Sequence, residues 1–189
     1  NEHSVKAGGF AGVVTGNGSV LTLNNVISTG KLVPICGANA TMVHLGGLIG
    51  SVSDEASAEI NNSYTLTSII SDAINGNALE ETYSDVLVGY AKEIVGEDGN
   101  KTISNVYYST DFALTTNNHN YGTNLAAYDM VFDNNNIWMQ NFVTSSGTTN
   151  TWKFLDVAER LPYLKGLEDS LKKYKVLNIE GDKFDYYLG

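Results

Sequence analysis

The sequence predicts a mainly β protein: a parallel β-helix-like solenoid of about three repeats, followed by a C-terminal cap of mixed α and β structure. Three observations predict it. A glycine-framed apolar block occurs three times at nearly constant spacing. A second block, rich in asparagine, β-branched and aromatic residues, follows each copy. Past residue 110 the pattern stops, and both tryptophans and the helical signals gather there.

The first block reads Gly8-Gly9-Phe10-Ala11-Gly12, then Gly46-Gly47-Leu48-Ile49-Gly50, and in degraded form Val86-Leu87-Val88-Gly89. Its last glycines are 38 and then 39 residues apart. The second block reads Leu23-Asn24-Asn25-Val26, Ile60-Asn61-Asn62-Ser63-Tyr64 and Ile103-Ser104-Asn105-Val106-Tyr107. Self-similarity of this period is the signature of a repeat architecture. The copies lie near 8–30, 46–67 and 86–110, so residues 1–110 form the repeat region and 111–189 the cap.

The blocks are too short for helices, and glycine at their edges disfavours helix. β-branched and aromatic residues between turn-formers favour strands. Ser63-Tyr64-Thr65-Leu66-Thr67 alternates apolar with polar, the pattern of a half-buried strand. One such strand set cannot bury its own apolar face, but stacked copies can.

Particular positions then acquire roles. Gly9, Gly12, Gly47, Gly50 and Gly89 belong where the chain bends or where backbone packs on backbone. Asn25, Asn62 and Asn105 belong at a corner, where asparagine tolerates left-handed backbone and its amide can bond the copies above and below. The linkers between copies vary in length and are rich in Ser, Asn, Asp and Glu. Residues 28–43 and 65–85 read as the longest loops and as the candidates for contact with a host protein or glycan.

Beyond residue 111, Leu125 to Phe132 reads as a short amphipathic helix. Trp138, Phe142, Trp152 and Phe154 supply large apolar surfaces, and Leu161-Pro162-Tyr163-Leu164 follows. Gly166 to Lys175 reads as a second helix, with Lys172, Lys173 and Lys175 at the negative end of its dipole. A solenoid end needs a cap, for which Trp138, Trp152, Phe154, Pro162 and Tyr163 are the candidates. The amino-terminal face has no counterpart, since the repeat begins within eight residues of Asn1. The expectation is that further coils or a covering domain of the parent chain lie upstream, and that the chain is a fragment or a mature domain.

Composition narrows the function. The chain has 189 residues with a formal charge of −10, and its 42% hydrophobic content separates it from disordered polyanions. Phosphate-backbone binding draws on Lys and Arg, so nucleic acid is not an expected partner. No apolar run approaches the ~18 residues of a membrane helix. A single cysteine, Cys36, makes neither an internal disulfide nor a zinc knuckle. Of the charge, −7 falls in 1–110 and −3 in 111–189, which reads as acidic solvated loops.

The glycine blocks, the asparagine blocks after them, and the terminal Asn105-to-Asp111, Trp152-Lys153-Phe154 and Leu161-Pro162-Tyr163-Leu164 elements together resemble the GLUG repeat and the end of GLUG arrays. The resemblance covers roughly residues 7–168. It implies a β-solenoid in secreted or surface-anchored bacterial proteins, either adhesin-like or in the non-catalytic region of Gram-positive immunoglobulin A-specific zinc metalloproteases. The third copy departs from the pattern by losing the double glycine.

His3, His44 and His119 include no H-E-x-x-H pair for zinc. There is no G-x-S-x-G elbow, and Asn25 and Leu32 break any P-loop around Gly30-Lys31. Paired carboxylates across a groove would suit a carbohydrate-active β-helix. However, Asp54, Glu55, Glu59, Asp72, Glu80, Glu81 and Asp85 read as loop residues. Glu97 to Asn100 and Asp133 to Asn136 lack full calcium-loop spacing. Tyr64, Tyr107 and Tyr108 could stack sugars, but packing suits them better. The expectation is a non-catalytic structural or interaction module without metal or cofactor. The alternative is a carbohydrate-active enzyme.

Overall fold

The computed structural model describes residues 3–34, 40–69, 81–91, 103–109, 111, 122–126, 130, 151–153, 163–164, 174–180 and 183–188. The chain divides into two compact units, Asn1–Asn124 and Leu125–Gly189.

The first unit is built of parallel sheets. The first copy supplies β1 (His3–Gly8), β2 (Ala11–Val14), β3 (Val20–Asn24) and β4 (Ile27–Leu32). The second supplies β5 (Ala40–Gly46), β6 (Ile49–Val52) and β7 (Ser57–Ile69). From the third come β8 (Glu81–Asp85), β9 (Val88–Ala91) and β10 (Ile103–Tyr108), followed by β11 (Thr123–Asn124). One sheet runs β1-β5-β8 and another β2-β6-β9. In the remaining sheet β3 and β4 both lie on β7, which is followed by β10 and β11.

Register follows the repeat. Gly8 pairs Gly46, which pairs Asp85. Ala11 pairs Ile49, which pairs Val88, and Leu23 pairs Ile60, which pairs Ile103. The bends between strands are bonded in the same order. Phe10 and Ala11 donate their amides to the Leu48 carbonyl, at 2.9 and 3.0 Å. Leu48 and Ile49 donate theirs to the Leu87 carbonyl, again at 2.9 and 3.0 Å.

Between the sheets lies one apolar cluster that includes Val43, Leu45, Leu48, Ile60, Leu87 and Val106. Full burial of one such side chain contributes about 1.5–3 kcal/mol, against a net of about 0.5–1.5 kcal/mol for a typical neutral hydrogen bond. Apolar burial therefore sets the fold, and the hydrogen bonds set its register.

Three expectations change. Residues 28–43 and 65–85 are not continuous loops: β4 runs to Leu32, β5 starts at Ala40, β7 continues to Ile69 and β8 starts at Glu81. Ser28 to Leu32 pair in register with Thr65 to Ile69, so polar composition there conceals a ladder. Glu59, Glu81 and Asp85 consequently lie in strands. Second, Ser63 to Thr67 is buried on both faces, not half-buried. Its hydroxyls are accommodated by hydrogen bonds, Ser28 Oγ to Thr67 Oγ1 at 2.7 Å and Thr67 N to Thr65 Oγ1 at 3.1 Å.

The third change concerns the second unit. Tyr174 and Lys175 do not end a helix; they open β14 (Tyr174–Glu180), which pairs antiparallel with β15 (Lys183–Leu188). Gly181-Asp182 separates the two strands, and such a two-residue connection favours a hairpin. The rest of that expected helix lies outside the described residues. Within Leu125 to Phe132, the Met130 amide reaches the Ala126 carbonyl at 3.0 Å, a helical i to i−4 bond. Trp152-Lys153 and Tyr163-Leu164 form β12 and β13, paired antiparallel. Trp152 and Met130 are buried. Trp138, Phe154 and Pro162 lie outside the described residues, as do Cys36, His119 and both candidate calcium loops.

Candidate functional site

Two groups of residues stand out. One is the corner at Asn25, Asn62 and Asn105, whose φ angles are 60°, 50° and 55°. These are the only non-glycine residues with positive φ among those described. A left-handed conformation costs most residues about 1–2 kcal/mol, and asparagine less than most. The amide of Asn105 donates to Asn62 Oδ1 at 3.0 Å. Backbone and hydroxyl groups also bond the corner between the first and second copies. Asn25 N donates to the Asn61 carbonyl at 3.1 Å and Val26 N to Ser63 Oγ at 3.0 Å. Ser63 in turn donates to the Asn61 carbonyl at 2.7 Å.

The repeat glycines Gly9, Gly12, Gly47, Gly50 and Gly89 mark close approach and not left-handed backbone. A Cβ on Gly50 would lie 2.6 Å from the Gly12 carbonyl oxygen and 2.7 Å from Ala7 N. One on Gly89 would lie 2.6 Å from the Gly50 oxygen, and one on Gly12 2.8 Å from the Lys6 oxygen. Gly9 and Gly47 leave room for the hydroxyls of Ser28 and Thr65. These positions are architectural.

The other group is an aromatic seam that motif reading did not find. His44 of β5 pairs in register with Tyr83 of β8, and Ser51 of β6 with Tyr90 of β9. The bend between β5 and β6 brings His44 Nδ1 within 3.1 Å of Ser51 Oγ. The His44 ring stacks on Tyr90 at 4.8 Å and meets Tyr83 edge-on at 5.3 Å. The two tyrosine rings lie 5.1 Å apart. At the seam's edge the Tyr90 hydroxyl donates to Asp54 Oδ1 at 3.4 Å. A signal was present, since His44 to Tyr83 and Ser51 to Tyr90 are both 39 residues, one repeat period.

A serine beside a histidine invites a nucleophile–base reading. Burial argues against it: His44 and Ser51 are each 2% exposed, so a substrate carbonyl has no approach to the hydroxyl. Rings about 5 Å apart fill each other's space, which leaves no cage for an ammonium group.

The carboxylates are dispersed. Asp54 holds the Tyr90 hydroxyl, Glu59 accepts from Thr22 Oγ1 at 3.4 Å, and Asp85 is buried with Oδ1 accepting from Leu87 N at 3.1 Å. Among the described residues no three His, Cys, Asp or Glu side chains gather as metal ligands. No described helix is long and apolar enough to cross a membrane. Tyr64 and Tyr108 are buried and Tyr107 half-buried. Burial raises the Tyr107 phenol above its ordinary range, and burial followed by the charge of Asp85 does the same to Tyr108. No family model matches the chain, and no curated protein or solved structure is significantly similar to it.

Proposed function

We propose that residues 1–124 form a parallel β-helix-like solenoid of GLUG type and that the chain acts as a non-catalytic structural or interaction module. In this reading the parent is a secreted or cell-surface bacterial protein, adhesive or positioning a protease domain of an immunoglobulin A-protease-like chain. The observation that carries the reading is the in-register pairing of the three copies, with left-handed asparagines at one position in each. Such an arrangement supports rigidity and spacing. The GLUG resemblance supports the cellular setting.

The enzymatic alternative predicts turnover of a polysaccharide through carboxylates. The test incubates the purified chain with plant, host and microbial polysaccharides while following new reducing ends and unsaturated sugar products. The module reading expects neither. Turnover that disappears with Asp54→Asn or Glu59→Gln would establish the enzyme instead.

A further inference from the structure

Asn17-Gly18 and Asn75-Gly76 are the two Asn-Gly pairs of the sequence, and the first lies among the described residues. Such a pair is chemically labile, because glycine has no side chain to keep its backbone nitrogen away from the asparagine carboxamide. Asn17-Gly18 forms the centre of a turn between β2 and β3, closed by Ser19 N donating to the Gly16 carbonyl at 3.0 Å. Both residues are exposed, and a Cβ placed on Gly18 would meet nothing within 4 Å. Water and base therefore reach the pair freely. One contact opposes the reaction they would drive. The Gly18 amide donates to the Glu55 carbonyl of the second copy at 2.8 Å. On either side of it, Ser53 N donates to the Val14 carbonyl and Ser57 N to the Ser19 carbonyl, both at 2.9 Å. The first copy's turn is thus seated on the turn at 53–56, which Ala56 N closes by donating to the Ser53 carbonyl at 3.0 Å.

We infer that Asn17 is a self-modification site gated by the contact between the first two copies. It stays an amide while Gly18 is bonded to Glu55, and converts to aspartate and isoaspartate when the two turns part. The reaction needs no partner but water. The Gly18 nitrogen gives its proton to solvent base and bonds to Asn17 Cγ. The bond from Cγ to the side-chain nitrogen breaks, and ammonia leaves with a proton from solvent. Water then opens the resulting five-membered imide at one of its two carbonyls. Opening at the side-chain carbonyl gives aspartate; opening at the main-chain carbonyl gives isoaspartate. The sequence of steps starts at the nitrogen whose proton the Glu55 carbonyl holds. While that bond stands, the nitrogen keeps its proton and its peptide plane is not free to swing toward Cγ. Local opening of a surface turn takes far less free energy than global unfolding, so the gate can open in an otherwise folded chain. The outcome is one-way. Isoaspartate adds a main-chain atom to the turn closed by Gly16 and Ser19. Either product adds a carboxylate beside a turn that already carries the exposed Asp54 and Glu55. Like charges at close range repel, so the turns do not re-seat as before.

The test ages the full chain at mildly alkaline pH, folded and in denaturing urea, and locates converted asparagine by peptide mass spectrometry. An Asn17→Ser variant, aged alongside, assigns the mass change to residue 17. Hydrogen exchange of the Gly18 amide is followed in the same folded sample. Conversion at residue 17 should be at least about tenfold slower in the folded chain than in urea, with the Gly18 amide protected by a similar factor. In urea too dilute to unfold the chain, the two rates should rise together. Equal conversion in the folded and unfolded chain would overturn the inference, because the stacked turns would then give no shelter. Slow conversion with a freely exchanging Gly18 amide would overturn it as well, since the shelter would then come from the turn's own shape and not from Glu55.

Discussion

Asp85 Oδ1 accepts the amide of Leu87 at 3.1 Å, at the place where both earlier copies carry glycine. The Phe10 and Leu48 amides bond forward to the next copy's carbonyl, and the Leu87 amide is satisfied locally by a side chain. The missing double glycine is therefore a substitution with a physical role: it ends a ladder of hydrogen bonds. Asp85→Ala leaves the buried Leu87 amide without this acceptor. Orphaning such a group costs about 1–3 kcal/mol, which urea denaturation would register as a lower midpoint. Asp85→Asn keeps an acceptor oxygen and should lose less.

The asparagine corner separates conformational cost from hydrogen bonding. Asn105→Gly removes the bond to Asn62 but keeps easy access to positive φ. Asn105→Ala loses both, with about 1–2 kcal/mol added for left-handed backbone. The alanine variant should thus unfold at clearly lower urea than the glycine variant. Equal midpoints would show that the left-handed backbone costs nothing there.

Gly50 is one position where a single methyl group meets backbone from two neighbouring strands. Backbone cannot rotate aside as a side chain can, so Gly50→Ala should destabilise by about 1–3 kcal/mol, the usual cost of overpacking. Gly18→Ala offers a contrast, since its Cβ would meet nothing within 4 Å and its cost comes from φ of 68° alone. Thermal melts of the two variants distinguish crowding from backbone strain.

Alkaline pH should weaken the first unit. The Tyr107 and Tyr108 phenols have raised pKa values in the folded chain, against about 10 when unfolded. The native state therefore holds these protons more tightly. Their stabilising contribution is fully present below about pH 10 and is lost as pH rises through the raised folded values. Urea midpoints measured from pH 8 upward should fall beyond pH 10, and Tyr108→Phe should flatten that fall. Unchanged pH dependence in Tyr108→Phe would remove Tyr108 from the account.

What could be read from the sequence was whatever repeats at fixed spacing. Gly12, Gly50 and Gly89 announce a shared constraint, and Asn25, Asn62 and Asn105 announce another, because identical backbone problems select identical residues. Ser28 to Leu32 was harder, as serine, threonine, glycine and lysine suggest a loop until the Thr65 to Ile69 partner is known. The seam was hidden because His44, Ser51, Tyr83 and Tyr90 share no residue type along their columns. Only the bend between β5 and β6 brings two columns face to face. In the tail, Lys172, Lys173 and Lys175 suggest a helix end by charge, yet the alternating β14 and β15 segments around Gly181-Asp182 are the stronger local pattern.

The central claim is that successive copies pair in parallel and in one register, and a cysteine cross-link tests it most directly. Thr22 lies opposite Glu59, and neighbouring strands stand about 4.8 Å apart, within disulfide reach. Ser57, two residues away on the same strand, falls beyond the roughly 7 Å limit for Cα atoms. In a Cys36→Ser background, Thr22→Cys with Glu59→Cys should form an intramolecular disulfide under mild oxidation, and Thr22→Cys with Ser57→Cys should not. Efficient closure of the second pair without the first would contradict the register on which the fold and its proposed function stand.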